Sequence, residues 1–342
     1  MREGPGDVAG KQGKGSMMTP GISWPAKLLL FGEYSILLGS SALSMPFRSF
    51  SAILRFWGAE RDDTKEGAEE SNFQLKKFYE YLAESPGLFG KFLDLERFRS
   101  DLSRGLCLSS DIPQRYGMGS SGALCAAVYG RYAFNPYDDP GGKDNTHITA
   151  LRSLLAAMET FFHGRSSGFD PLVIFLQKTL LLGKNDDVVP VDIPVAIAGH
   201  PFELILVDSG LPGSTGPRVQ EFLDRFLPGG NIIPAGSRMV ALSDDCIDRY
   251  LAGNTAAFGQ AITKLSRFQL ANLEHLIPAH LRPSWGDGLD SGLFSLKLCG
   301  SGGGGFIICF TRDSKKTIDY FRKSSIPVLK VAMPRPGKNC PQ

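Results

Sequence analysis

Four short stretches of this 342-residue chain carry side chains that could serve one chemistry. Lys27 heads the apolar run Leu28-Leu29-Leu30-Phe31, where an ammonium is costly unless it reaches a carboxylate or an anionic ligand. Asp170 closes the stretch His163-Gly164-Arg165-Ser166-Ser167-Gly168-Phe169-Asp170-Pro171. A carboxylate there could orient or deprotonate a substrate hydroxyl, with Lys27 as its natural partner. Both residues also have plainer readings: a lysine snorkelling at a strand end and an Asp–Pro pair initiating a turn. Glu159 falls at the edge of an apolar helical stripe, either on the solvent margin or turned toward a cation. With a serine hydroxyl and phosphate oxygens it would suit magnesium, which keeps some of its waters. Gly117-Met118-Gly119-Ser120-Ser121-Gly122-Ala123 is a glycine-rich loop opening a helix, a place where backbone N–H groups and the helix dipole meet an anion. A second cluster, Gly300-Ser301-Gly302-Gly303-Gly304-Gly305, lies between two strands and is costly in backbone entropy unless a close approach needs it.

The elements that must position these groups follow from periodicity and punctuation. Residues 27–31 and 52–57 read as strands, 60–71 as a charged solvated loop, and 73–84 and 93–102 as helices. A strand over 107–112 feeds the first glycine loop and the helix after it. Ile148, Leu151, Leu154, Leu155, Met158, Phe161 and Phe162 recur at helical spacing over 147–163, the clearest amphipathic helix. Residues 163–171 read as a loop. Strands follow at 179–182 and 202–208, separated by the Pro/Gly-bearing stretch 190–201, the best candidate domain boundary. Helices are expected over 219–227, 237–252, 255–273 and 314–323, and strands over 295–298, 306–311 and 328–331. Helices and strands mix without strict alternation, which favours α+β layers.

Bulk composition narrows the function. Hydrophobic residues make up 42% and charged residues 21% of the chain, ordinary for a globular protein, and a net charge of +2 gives no argument for nucleic acid or an anionic membrane. Cys107, Cys125, Cys246, Cys299, Cys309 and Cys340 show no zinc spacing and read as reduced cytosolic thiols. No stretch approaches the length of a membrane span, and residues 1–21 read as a disordered tail without a signal-peptide core. Neither glycine loop has the Walker or dinucleotide spacing, and the protein-kinase motif set is absent.

Taken together, PAKLLLFGEY, PQRYGMGSSGA and KLCGSGGGGF resemble, in order and separation, the three motifs of the GHMP kinase superfamily, most closely mevalonate kinase. The resemblance implies an α+β, two-domain fold: a ribosomal-protein-S5-like N-terminal domain over 22–194 and a ferredoxin-like C-terminal domain over 195–335. It implies ATP and Mg²⁺ as cofactors and transfer of the γ-phosphoryl group to a primary alcohol. Asp170 and Lys27 become the catalytic pair. Glu159, eleven residues before the aspartate, and Ser121 become metal ligands. Ser110, Gly117, Met118, Gly119, Ser120, Ser121, Gly302 and Gly303 are expected at the nucleotide, and Lys27, Glu33, Tyr34, Asp170 and Thr215 at the acceptor. Mevalonate is the favoured acceptor. Tyr34 stands where mevalonate kinases have histidine, and Gly-Glu-Tyr is common in phosphomevalonate kinases, so phosphomevalonate is the alternative. A non-catalytic small-molecule binder of the same fold is the alternative of another class. The expected partners are the alcohol and ATP alone, with no nucleic acid or membrane, in a cytoplasmic protein that could be a homodimer.

Overall fold

The computed structural model describes residues 22–58, 64–136, 145–193, 202–213 and 216–331. Strand β1 (Ser23–Phe31) pairs antiparallel with the long β2 (Ala42–Phe56), whose register jumps between Pro25 and Ala26 of β1. That irregularity, together with Pro46 and a run of serines, hides the first half of β2 from a strand pattern. Only its last residues were expected to be extended. Helices α1 (Lys65–Ala83), α2 (Pro86–Phe89) and α3 (Leu95–Ser103) follow, then β3 (Leu106–Ser110), α4 (Ser120–Tyr132), α5 (Asn145–His163), α6 (Phe169–Leu176), β4 (Leu180–Leu182) and β5 (Val188–Pro190). These strands form one sheet in the order β1-β2-β4-β5, with β3 paired to the far half of β2.

Two sequence expectations are corrected here. The charged stretch from Lys65 to Ser71 is the start of α1, not a loop. Thr64 caps it by accepting the Gly67 N–H, and its buried stripe is Ala68, Leu75, Phe78 and Leu82. Lysine and glutamate are good helix formers, so their density marks a solvated face and does not argue for a loop. Second, the stretch around Asp170 is a loop only as far as Gly168. Gly168, at φ 69°, caps α6, and Asp170 lies in its first turn.

The second half begins with β6 (Glu203–Asp208) and runs through α7 (Gly216–Phe226), α8 (Pro234–Leu251), α9 (Thr255–Asn272), α10 (Arg282–Ser291), β7 (Phe294–Leu298), β8 (Phe306–Thr311), α11 (Ser314–Lys323) and β9 (Val328–Lys330). Its antiparallel sheet has the order β7-β8-β6-β9. Counted along the chain that is fourth-first-third-second read from the other edge, the ferredoxin-like arrangement. The expected division at 194/195 lies outside the described residues.

The two sheets share a core. Phe31, at the end of β1, stacks on Phe310 of β8 with ring centroids 5.7 Å apart and meets Phe258 of α9 edge-on. The chemistry expected of Lys27 therefore starts from a strand clamped on both sides. Among the described residues no helix is long and apolar enough to cross a membrane.

Candidate active site

Lys27, in the middle of β1, is 3% exposed, and its Nζ lies 2.7 Å from Asp170 Oδ2. Burial alone would push the Lys27 pKa down, but the Asp170 carboxylate and its hydrogen bond outweigh it and hold the ammonium above its ordinary value. The Asp170 side chain remains 35% exposed, so one side of the pair is open to a ligand.

The first glycine loop is fixed to the same strand, since Lys27 N donates to Met118 O at 3.0 Å. Gly119, at φ 77°, caps α4 without a side-chain hydrogen bond, leaving the helix N-terminus to its backbone. A Cβ on Gly119 would lie 2.8 Å from Lys27 Cγ, and one on Gly122 would lie 3.0 Å from Pro171 N. These absent side chains let the first turns of α4 and α6 meet, so two helix N-termini face the lysine–aspartate pair. Ser120 is half-buried at the start of α4. Met118 contributes backbone only, its side chain being buried. Ser110, further back, accepts the Ile112 N–H at 3.2 Å.

Glu159 faces inward from α5, 5% exposed, away from the solvent margin. Its Oε1 accepts from Ser121 Oγ at 2.9 Å and its Oε2 from Ser166 Oγ at 2.5 Å. Burial, and next the neighbouring Asp170 charge, push its pKa up to about 7 against the pull of both serines and Lys27. This carboxylate is short of positive charge. Among the described residues no group of three or more His, Cys, Asp or Glu side chains could hold a metal alone. Magnesium here would need oxygens from its substrate as well, as all-oxygen magnesium sites commonly do.

The third motif buttresses the first loop. Gly300, Gly302, Gly303 and Gly305 all have positive φ, and a Cβ on Gly117 would sit 3.2 Å from Cys299 O. Gly305 packs equally close to the Tyr116 backbone. Gly302 and Gly303 were expected to face a nucleotide. Leu276 O blocks the Cβ position of the first, and the Arg218 guanidinium fills that of the second while donating to Gly302 O at 2.7 Å. The portion of this loop that reaches Gly117 is Cys299-Gly300. The Cys299 thiol is pushed up to about 11 by burial and stays protonated.

Two acceptor residues are placed otherwise than expected. Glu33 is 4% exposed, with Oε2 2.8 Å from Lys297 Nζ and Oε1 accepting from Gln269 Nε2 at 2.7 Å. Tyr34, at φ 61°, is 5% exposed and donates its hydroxyl to Ser301 O at 2.6 Å, its ring against Phe222. Their polar atoms are consumed inside the protein because the turn 32–34 dives beneath the third motif. Thr215 lies outside the described residues.

Residues 75–178 match the GHMP kinases N terminal domain family. Over nearly the whole chain the same fold recurs in the mevalonate kinase of Methanococcus jannaschii, at a TM-score of 0.61 and 19% identity, covering 94% of this chain and 100% of that one. The chain has the fold of the GHMP kinases. The L. major mevalonate kinase in complex with R-mevalonate is similar at a TM-score of 0.59 and 16% identity, covering 92% and 95%. The Streptococcus pneumoniae phosphomevalonate kinase in complex with phosphomevalonate and AMPPNP is similar at 0.56 and 13%, covering 92% and 100%. No curated protein matches at the level of sequence. The GHMP fold accounts for the order of the motifs and for the two sheets. Ser166, Gln269 and Lys297 were not singled out from sequence. Lys297 did carry a signal, being the one charged residue inside the strand FSLKL, where every position is buried.

Proposed function

We propose that this chain is an ATP-dependent kinase of a small primary alcohol, with mevalonate the favoured acceptor. The single observation that carries the reading is the 2.7 Å pair of Lys27 with the half-exposed Asp170, set where the N-termini of α4 and α6 meet. Asp170 would accept a hydrogen bond from the acceptor hydroxyl and orient or deprotonate it. Lys27 would hold that carboxylate and the charge that develops on the transferring group. The backbone N–H groups of 117–121 would cradle the phosphates, so catalysis would rest on positioning and electrostatics. Glu159, steadied by Ser121 and Ser166, would hold magnesium, which when bound neutralises phosphate charge. A protein that only bound its ligand would need neither an acid nor a buried carboxylate beside the phosphate cradle, which argues against the non-catalytic reading. A cytoplasmic location fits this activity.

Solved relatives of this fold in complex with R-mevalonate, and with phosphomevalonate and AMPPNP, support both acceptors. The KLCGSGGGG motif and the Glu159–Asp170 spacing support mevalonate, and Gly32-Glu33-Tyr34 supports phosphomevalonate. ADP release measured with each alcohol side by side decides between them. Turnover with mevalonate and none with phosphomevalonate is the expected result; no ADP with either, or with homoserine or galactose, overturns the kinase reading.

A further inference from the structure

A second lysine–carboxylate pair lies wholly inside the protein, where no substrate reaches it. Lys297 is 0% and Glu33 4% exposed, and Gln269 between them is also fully buried. Lys297 and Gln269 hold the backbone of one residue, Leu298, on both its peptide groups, and Glu33 ties the two side chains together. Lys297 Nζ donates to Leu298 O at 2.6 Å, and Leu298 N donates to Gln269 Oε1 at 2.9 Å. The Gln269 amide then donates to Glu33 Oε1, and Glu33 Oε2 faces the ammonium at 2.8 Å. Leu298 is the last residue of β7, immediately before the second glycine loop. Glu33 lies two residues past the end of β1, and the next residue, Tyr34, holds Ser301 of that loop. Burying such a triad is costly, and apolar residues of equal volume would serve stability as well. Apolar residues could not hold the Leu298 N–H and C=O in place.

We infer that Glu33, Gln269 and Lys297 are positioning residues for the nucleotide. They set where the second glycine loop leaves β7, and this loop in turn supports Gly117 through Cys299 O and Gly300. The inference rests on the kinase reading above and adds how its phosphate cradle is kept in place.

A charge-free core tests it. Glu33→Gln and Lys297→Met singly leave a buried group without its partner and lower the thermal midpoint. The double variant Glu33→Gln/Lys297→Met regains most of that midpoint. Binding of a fluorescent ATP analogue to the double variant is expected to weaken about tenfold, with KM for ATP rising in step and kcat changing less than about threefold. Hydrogen exchange over residues 299–305 should quicken while the α5 peptide keeps wild-type protection. A double variant with wild-type midpoint, affinity and exchange overturns the inference and makes the triad a packing feature. Failure of the wild-type chain to bind the analogue overturns the kinase reading instead.

Discussion

Lys27 and Lys297 are both buried lysines on strands, each within 2.8 Å of a carboxylate, yet the surroundings give them opposite uses. Lys27 pairs with an aspartate on the first turn of a helix, and that aspartate keeps 35% of its side chain in solvent. The pair has an open side, so a hydroxyl or a phosphate can join it. Lys297 pairs with a glutamate sealed at 3% side-chain exposure, and every remaining contact of the pair is protein. That pair has no open side and acts only within the protein, on Gln269 and the Leu298 backbone. A buried ion pair is therefore not evidence of catalysis by itself. What distinguishes the two is whether one partner remains exposed beside helix N-termini.

The largest effect should come from the open pair. Asp170→Asn is expected to lower kcat by about 10²–10⁴-fold while an ATP analogue binds nearly as before, measured by steady-state kinetics beside a binding titration. Unchanged turnover would remove Asp170 from the chemistry and leave the two pairs equivalent. Next in size is stability. Lys297→Met strands a sealed carboxylate and should cost about 3–5 kcal/mol in denaturant unfolding. Lys27→Met should cost clearly less, because Asp170 can turn to water. Equal losses would erase the contrast. The smallest and most specific effect concerns Glu159, the carboxylate beside the open pair. Its pKa is raised to about 7 by burial first and Asp170 second. A raised acid favours the folded state most fully below its unfolded pKa, and that contribution is lost as pH rises through about 7. The protein without magnesium should therefore lose stability between about pH 4.5 and 7, as measured by urea midpoints. Magnesium affinity should fall as pH drops below 7, where the proton competes. Glu159→Gln should flatten both profiles and raise the magnesium requirement for turnover; a pH-independent wild-type profile would return Glu159 to a structural role.

Several of these features were legible in the residues. A lysine at the head of LLLF, a glycine-serine turn before a run of small residues, and the strong periodicity of 147–163 all signal local geometry that tertiary context did not override. The failures also have local causes. Half of β2 escaped because a register shift and Pro46 break its alternation. The start of α1 escaped because a solvated helix face and a solvated loop have the same composition. Asp170 was expected in a loop because Asp–Pro reads as a turn signal, and the same pair serves equally in the first turn of a helix. Glu33 and Tyr34 were placed at the acceptor by their motif. The path of the turn carries them under the second glycine loop, and no pattern in the first motif foretells that depth.

By itself the sequence determined which groups were available and in what order: a lysine, an anion-receptive glycine loop, two acids eleven residues apart and a second glycine loop. Those are matters of residue type and short-range periodicity, which local sterics and capping decide. The tertiary structure alone decided which acid faces which cation. Lys27 and Asp170 are 143 residues apart and Glu33 and Lys297 are 264 apart, so their pairing depends on how the strands and helices pack. Exposure too is a property of packing. It left one lysine with an open side and closed the other around the backbone of a single residue, Leu298.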